Sequence, residues 1–463
     1  MNGIKSPPPL PDSLVARLSR SVETRLGLHF PPERWADLVR GVRAAAPELG
    51  FDDVQQCAEW LVGAKAQPRQ IDLLAAHLTV GETYFFREPK AFEALEMHVL
   101  PEIVHEPQRS GARRLRIWSA GCCTGEEAYS IAIAVTRAVP KWREWQISIL
   151  GTDLNPRFLH KAAEGIYSQW SFRGLPAEIQ RDYFHQTDNG RRFAIAPWIK
   201  TLVTFACLNF VEDVYPSLGN STNAMDVIFC RNVVMYFARE QARRVVGNLH
   251  RALVHGGWLF ASATEASPEL FANFTAANFP GTVVYRKNLP PPRLDLPAPA
   301  VPLEVSHTLV SSTSSSAASS SELLAPSLPE AAAPAPSAKA RTLANEGRLG
   351  EALAACDQAI ALHKLDAASH YLRGMILQEQ GALDEAAASL KRALFLDQDF
   401  VVAHFALGNL MQRRGRATDA KRSFENARAL LRRCPAEAGL PESDGISAGR
   451  LLAILDATRE ANR

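Results

Sequence analysis

The stretch RIWSAGCCTGEEAYSIA, from Arg116 to Ala132, changes character twice. RIWSA reads as a short apolar strand, AGCCTG as a loop of small residues, and GEEAYSIA as the start of a helix running on through AVTRAV. A strand feeding a helix through a glycine loop is the unit of an open α/β sheet, which binds ligands at the carboxyl ends of its strands. A dinucleotide loop would carry G-x-G-x-x-G and keep acids away, so that pyrophosphate meets a bare helix N-terminus. Here Gly121 and Gly125 stand four apart and Glu126-Glu127 follow at once. Two carboxylates repel a pyrophosphate and favour a cationic or zwitterionic ligand.

Outward from this loop, the next strand, ISILGTD, ends in Asp153, an acid suited to gripping ribose hydroxyls. Loop and acid together point to S-adenosylmethionine, whose adenosine meets Asp153 and whose amino group and sulfonium tolerate acids. A helix N-cap ahead of Asn155-Pro156 is the competing role for Asp153. Further on, MDVIFCRN, GGWLFASAT and TVVYRK read as strands and QARRVVGNLHRAL as a helix. This alternation predicts a mostly parallel sheet covered by helices. Before it, SLVARLSRSVETRLGL, PPERWADLVRGVRAAA, VQQCAEWLVGA and RQIDLLAAHL read as helices, with Pro32 where a first-turn proline is tolerated.

Composition changes at Pro290. Residues 290–337 hold 10 of the chain's 30 prolines and the run SSTSSSAASSSE, so the segment cannot repay its ordering entropy and reads as a disordered linker between two bodies that move independently. Beyond it Gly347, Gly381 and Gly415 recur at a step of 34, as do Ala352, Ala386 and Ala420, and Ala359, Ala393 and Ala427. That period, with glycine in the turn and alanine where paired helices cross, is the tetratricopeptide (TPR) pattern. Ser447 to Ala461 reads as an amphipathic helix capping the last repeat.

The strings LTVGETYFFREP (Leu78 to Pro89), RIWSAGCCTGEEAYSIA, GTDLN (Gly151 to Asn155) and DVIFCRNVVMYF (Asp226 to Phe237) resemble the chemoreceptor glutamate methyltransferases, the CheR family, over roughly residues 14 to 288. YSQWSFRG (Tyr167 to Gly174) and the appended repeats resemble a subgroup with C-terminal TPRs, as in Wsp-type or gliding-motility chemosensory pathways. The resemblance implies an α/β chain of four parts: an N-terminal helical domain (1–110), a Rossmann-like S-adenosylmethionine-dependent methyltransferase domain (111–289), the linker (290–337) and an all-α TPR array (338–463). It implies transfer of a methyl group to receptor glutamates, leaving S-adenosylhomocysteine, with no metal.

Carried over residue by residue, the resemblance makes Thr83, Arg87, Glu126, Asp153, Asn209, Phe210, Arg231 and Asn232 cofactor-binding, and Arg87 and Tyr236 participants in catalysis. Gly81 departs from the family's usual Asn. The implied partners are the cytoplasmic helical domain of a chemoreceptor and a protein or peptide in the TPR groove.

Charge and cysteine content agree with these expectations. The net charge of +2 over 463 residues hides an N-terminal helical segment at −3, a methyltransferase segment at +6, an acidic linker at −3 and repeats at +2. A basic catalytic body suits acidic receptor helices, and the motifs argue against nucleic acid. Seven scattered cysteines with no C-x-x-C pair fit a reducing compartment and give no support to structural zinc. With no signal peptide and no run of about 18 apolar residues, a cytoplasmic protein without membrane insertion is expected. Two other readings compete: a TPR adaptor with an inactive or cofactor-sensing methyltransferase half, and a methyltransferase of RNA or small molecules. The second lacks a Pro-Pro-Tyr or Pro-Phe type motif at Arg231-Asn232-Val233-Val234.

Overall fold

Apolar residues three and four apart dictate the first layer. The computed structural model, which describes residues 10–63, 68–105, 113–288, 336–443 and 445–461, has helices at Asp12–Leu26, Trp35–Ala45, Val54–Val62 and Pro68–Leu78. Leu14, Leu18, Val22 and Leu26 form one stripe, and they pack with Leu38, Val42, Leu61 and Leu74 into a separate small core. Pro32 opens a single 3-10 turn, Pro32–Arg34, that leads into the second helix.

Ten strands follow: β1 (Arg114–Ala120), β2 (Gln146–Asp153), β3 (Ile166–Ser168), β4 (Phe184–Thr187), β5 (Arg192–Ile195), β6 (Val203–Cys207), β7 (Met225–Phe229), β8 (Leu253–Phe260), β9 (Phe274–Phe279) and β10 (Thr282–Lys287). Seven build one sheet in the order β6-β2-β1-β7-β8-β10-β9. Pairing is parallel from β6 to β8 and antiparallel for β10 and β9. Alternate residues of β1 and β7 point to opposite faces. Ile117, Val227 and Phe229 pack with helix Glu126–Ala138, while Trp118 and Ile228 pack with helix Arg239–Ala252. The mostly parallel Rossmann-like sheet expected from the alternation is present, with β6 and β9 as edge strands that the apolar pattern does not reveal. A second sheet, β3-β5-β4, is inserted between β2 and β6.

Most of the serine- and proline-rich segment, residues 289–335, lies outside the described residues. The repeats follow the 34-residue step as three antiparallel helix pairs: Pro336–Asn345 with Leu349–Leu362, Ala367–Glu379 with Leu383–Leu396, and Val401–Arg413 with Ala417–Leu431. Gly347, Gly381 and Gly415 occupy the turns, and Ala448–Ala461 closes the array.

The expectation of two independently moving bodies needs correction. The array packs on the methyltransferase body: Leu218 shares a core with Ala340, Leu343, Ala344 and Ile376, and Asn223 donates to the Ala344 carbonyl at 3.3 Å. On β1, Arg116 is ion-paired with Glu379 of the second repeat, both side chains buried. Composition describes the tether and carries no information about how the surfaces beyond it match. Among the described residues no helix is long and apolar enough to cross a membrane.

Candidate active site

The carboxyl ends of β1, β2 and β7 open into a cleft of about 460 Å³, roofed by the chain from Leu78 to Arg87 and by the first helix at Leu26. That size suits a small-molecule ligand. The loop after β1 is pinned to the neighbouring strand, because the N–H groups of Gly121 and Cys122 both donate to the Thr152 carbonyl at 2.8 Å. Gly121 has φ +87°, and a Cβ there would lie 2.3 Å from the Val233 side chain, so only glycine lets the two loops meet. Asp153 closes β2. One of its oxygens accepts the Cys123 N–H and the other the Asn155 N–H, both at 2.9 Å, leaving further lone pairs free to accept. Burial pushes its carboxyl up to about 6. The cap of the following helix is Asn155, whose side chain accepts the Arg157 N–H, which removes the competing cap role from Asp153.

Thr83, Arg87, Asp153, Asn209, Phe210, Arg231, Asn232 and Tyr236 all line this one cleft. Glu126 does not. Its carboxylate lies beneath the loop, accepting the hydroxyls of Thr124 at 2.6 Å and Ser171 at 3.0 Å. Its neighbour Glu127 lines the cleft instead, held by Ser119 at 2.8 Å and by Arg231 at 3.3 Å. Consecutive helical residues point about 100° apart, so only one of the pair can face the ligand. Burial raises both carboxyls, and the Arg231 guanidinium opposes that rise at Glu127.

Arg231 is itself buried. It pairs with Glu127 and with Glu88 at 3.2 Å, and donates to the Arg87 carbonyl at 2.6 Å, joining the loop after β7 to the strip that carries Arg87. Sequence reading missed Glu265, a buried acid that accepts the N–H groups of Asn232 at 2.7 Å and Val233 at 2.6 Å. An acid after the apolar run of β8 was the available signal. Tyr236 is half-buried, and its carbonyl accepts the His29 N–H at 2.8 Å.

Four non-glycine residues around the cleft have positive φ: Phe86, Glu88, Cys123 and Asn232. Such conformations cost about 1–3 kcal/mol each and persist where surrounding structure over-determines them. Around Arg87 that structure is the ring cluster of Phe85 with Tyr167, Phe172 and Phe184, at centroid distances of 4.7–5.1 Å. At the rim Arg173 stacks on Tyr84 and Trp170 and pairs with Glu82. A Cβ on Gly81 would lie 2.8 Å from the Phe158 ring, which lines the cleft. The space of the family's usual Asn is taken by that ring.

Residues 81–281 match the model of the CheR methyltransferase, S-adenosylmethionine-binding domain, and residues 374–415 match a TPR repeat model. Chemotaxis protein methyltransferase 1 of Pseudomonas aeruginosa is 36% identical over 220 residues, covering 46% of this chain and 77% of its own. The chain belongs to the CheR methyltransferase family. The probable chemotaxis protein methyltransferase of Rhizobium etli is 33% identical over 47% of this chain and 79% of its own. The probable biofilm formation methyltransferase WspC of Pseudomonas aeruginosa is 30% identical over 60% of this chain and 63% of its own. Family membership makes the chain an S-adenosylmethionine-dependent protein-glutamate O-methyltransferase. The cleft fits that cofactor: a cradle closed to any Cβ at Gly121, a carboxylate with free lone pairs at Asp153 and a second at Glu127.

Proposed function

We propose that this CheR methyltransferase esterifies the γ-carboxylates of glutamates on the cytoplasmic helical domain of a chemoreceptor. The observation that carries the reading is the convergence of Asp153, Asn209, Arg87 and Tyr236, from four separate segments, on one cleft. When bound, S-adenosylmethionine would supply a sulfonium methyl group for transfer to an oxygen nucleophile, with S-adenosylhomocysteine as the leaving group. Asp153 would accept the ribose hydroxyls, Asn209 and Phe210 would flank the adenine, and Glu127 would take the amino group. Thr83 and Arg87 would hold the methionyl end, and Arg231 and Asn232 would shape the cleft floor. Glu126 would brace the glycine loop from beneath.

A glutamate is already ionised near neutral pH, its unperturbed pKa being about 4.3, so the site needs no general base. Its task is to strip water from the carboxylate and hold it in line at about 3–3.5 Å from the methyl carbon. Arg87, half-buried with its guanidinium donating to the Glu82 carbonyl at 2.7 Å, is placed to balance the incoming charge. Tyr236 would orient one oxygen. The +6 charge of residues 111–289 supports an acidic protein substrate, and the names of the chemotaxis relatives agree with it.

The division at residues 1–110, 111–289, 290–337 and 338–463, a cytoplasmic location, and a protein or peptide partner on the repeats belong to the same reading. Full-length protein, radiolabelled cofactor and the cytoplasmic part of the genomically neighbouring chemoreceptor provide the test. Base-labile label on the receptor is expected. Absence of label from a protein that binds S-adenosylhomocysteine would overturn the receptor substrate.

A further inference from the structure

One residue of the repeat array reaches toward the cofactor cleft. Arg450 lies in the first turn of helix Ala448–Ala461 and is only 7% exposed. An arginine there opposes the positive end of the helix dipole, so its position needs compensation by acids. Two acids supply it, Asp72 of the N-terminal helices and Asp213 of the methyltransferase domain, both outside the array. Nε and Nη2 of Arg450 donate to the two carboxylate oxygens of Asp213, each at 2.9 Å, and Nη1 donates to Asp72 at 3.1 Å.

The two acids stand behind two different segments of the cleft lining. Asp213 closes the turn after β6: its carboxylate accepts the Asn209 N–H at 2.6 Å while its own N–H donates to the Asn209 carbonyl at 2.9 Å. Asn209 and the adjacent Phe210 line the cleft. Asp72 lies on helix Pro68–Leu78, whose last residue, Leu78, lines the cleft with Thr79 and Val80 that follow it. Arg450 therefore fastens the Asn209 turn to the helical wall from behind, without touching the cleft itself. A two-pronged guanidinium–carboxylate pair fixes direction as well as distance.

We propose that Arg450 is a positioning residue for cofactor binding, so that the C-terminal helix of the repeats completes the cofactor site of the methyltransferase. The proposal rests on the reading of this cleft as the cofactor site. It makes the affinity for the cofactor depend on how the array is seated.

The test is calorimetric titration of full-length protein with S-adenosylhomocysteine, together with KM for the cofactor and kcat in methyl transfer. Arg450→Ala is expected to weaken binding by about tenfold, within the usual range of coupling between linked sites. KM for the cofactor should rise by a similar factor while kcat at saturation is kept. Arg450→Lys, which keeps the charge but not the fork, should recover part of the loss. Asp72→Asn leaves the Asp213 fork intact and weakens only the link to the helical wall, removing the charge while keeping one accepting oxygen. It should act in the same direction more weakly, and it carries the test if Arg450→Ala does not fold. Glu379→Gln loosens the other seam of the array and should leave affinity within about twofold, below typical coupling. Unchanged affinity in both Arg450→Ala and Asp72→Asn, or an equal loss in Glu379→Gln, would overturn the proposal. Asn209→Ala separates the two readings: if it binds normally, the cofactor assignment fails; if it loses affinity while the Arg450 variants do not, only the positioning role fails.

Discussion

Glu265 accepts the backbone N–H groups of both Asn232 and Val233, and a third contact reaches Met235 N–H at 3.3 Å. One buried carboxylate thus sets the path of the loop that carries Arg231, Asn232 and Tyr236. Glu265→Gln replaces one accepting oxygen with a donor facing backbone donors. The exchange is expected to cost about 2 kcal/mol, since hydrogen bonds to a charged group are the strong ones. Thermal denaturation should show a melting temperature several degrees lower, and methyl transfer should fall even where the protein remains folded. A variant with wild-type kcat would show that the loop holds its course without Glu265.

Asp153 gives the cofactor site a pH dependence of definite sign. Burial raises its carboxyl to about 6, so the neutral acid persists to higher pH than for an exposed Asp. The ionised form is the better acceptor for ribose hydroxyls. Affinity for S-adenosylhomocysteine should be full above about pH 7, decline as pH falls through 6, and then drop by up to about tenfold per unit. Asp153→Asn should bind weakly with a flat profile. Calorimetry between pH 5 and 8 on both proteins checks the slope.

Arg87 and Tyr236 should separate in their kinetics from the residues that only hold cofactor. Arg87→Ala is expected to lower kcat/KM for receptor by about 100-fold, the cost of losing positioning in an in-line transfer. Tyr236→Phe should reduce kcat while cofactor affinity stays near wild type. Circular dichroism matching the parent would confirm that the loss lies in the chemistry. Near wild-type methyl incorporation by Arg87→Ala would remove it from the site.

The Phe158 ring and Gly81 share one space, with only 2.8 Å from the ring to the position of an added Cβ. Restoring the family's usual side chain with Gly81→Asn should therefore weaken cofactor binding, because overpacking costs about 1–3 kcal/mol. Adding Phe158→Leu should recover affinity beyond either single variant. Additive losses in the double variant would mean that the two positions do not compete.

How far the sequence disclosed this architecture depends on the range of each interaction. The 34-residue step of Gly347, Gly381 and Gly415 carries through to three helix pairs because each pair is a local unit. The apolar strands β1, β2, β7 and β8 announce themselves because both of their faces are covered. The edge strand VTFAC, partly exposed along its length, has no such run. Glu126 and Glu127 are indistinguishable by composition, and only the phase of the helix decides which one faces the cleft. Arg450, Asp72 and Asp213 are separated by up to 378 positions, and no local pattern links them. A basic residue at the start of a helix was the one visible sign of distant acids.

Leu218 adds a consequence for the chain as a whole. It belongs to the methyltransferase half by sequence, yet it is 2% exposed and its core neighbours are Ala340, Leu343 and Ile376 of the repeats. Apolar surface shared in this way couples the unfolding of the two halves. A calorimetric scan should accordingly record the repeats and the sheet melting together, where a purely tethered pair would give two separate transitions.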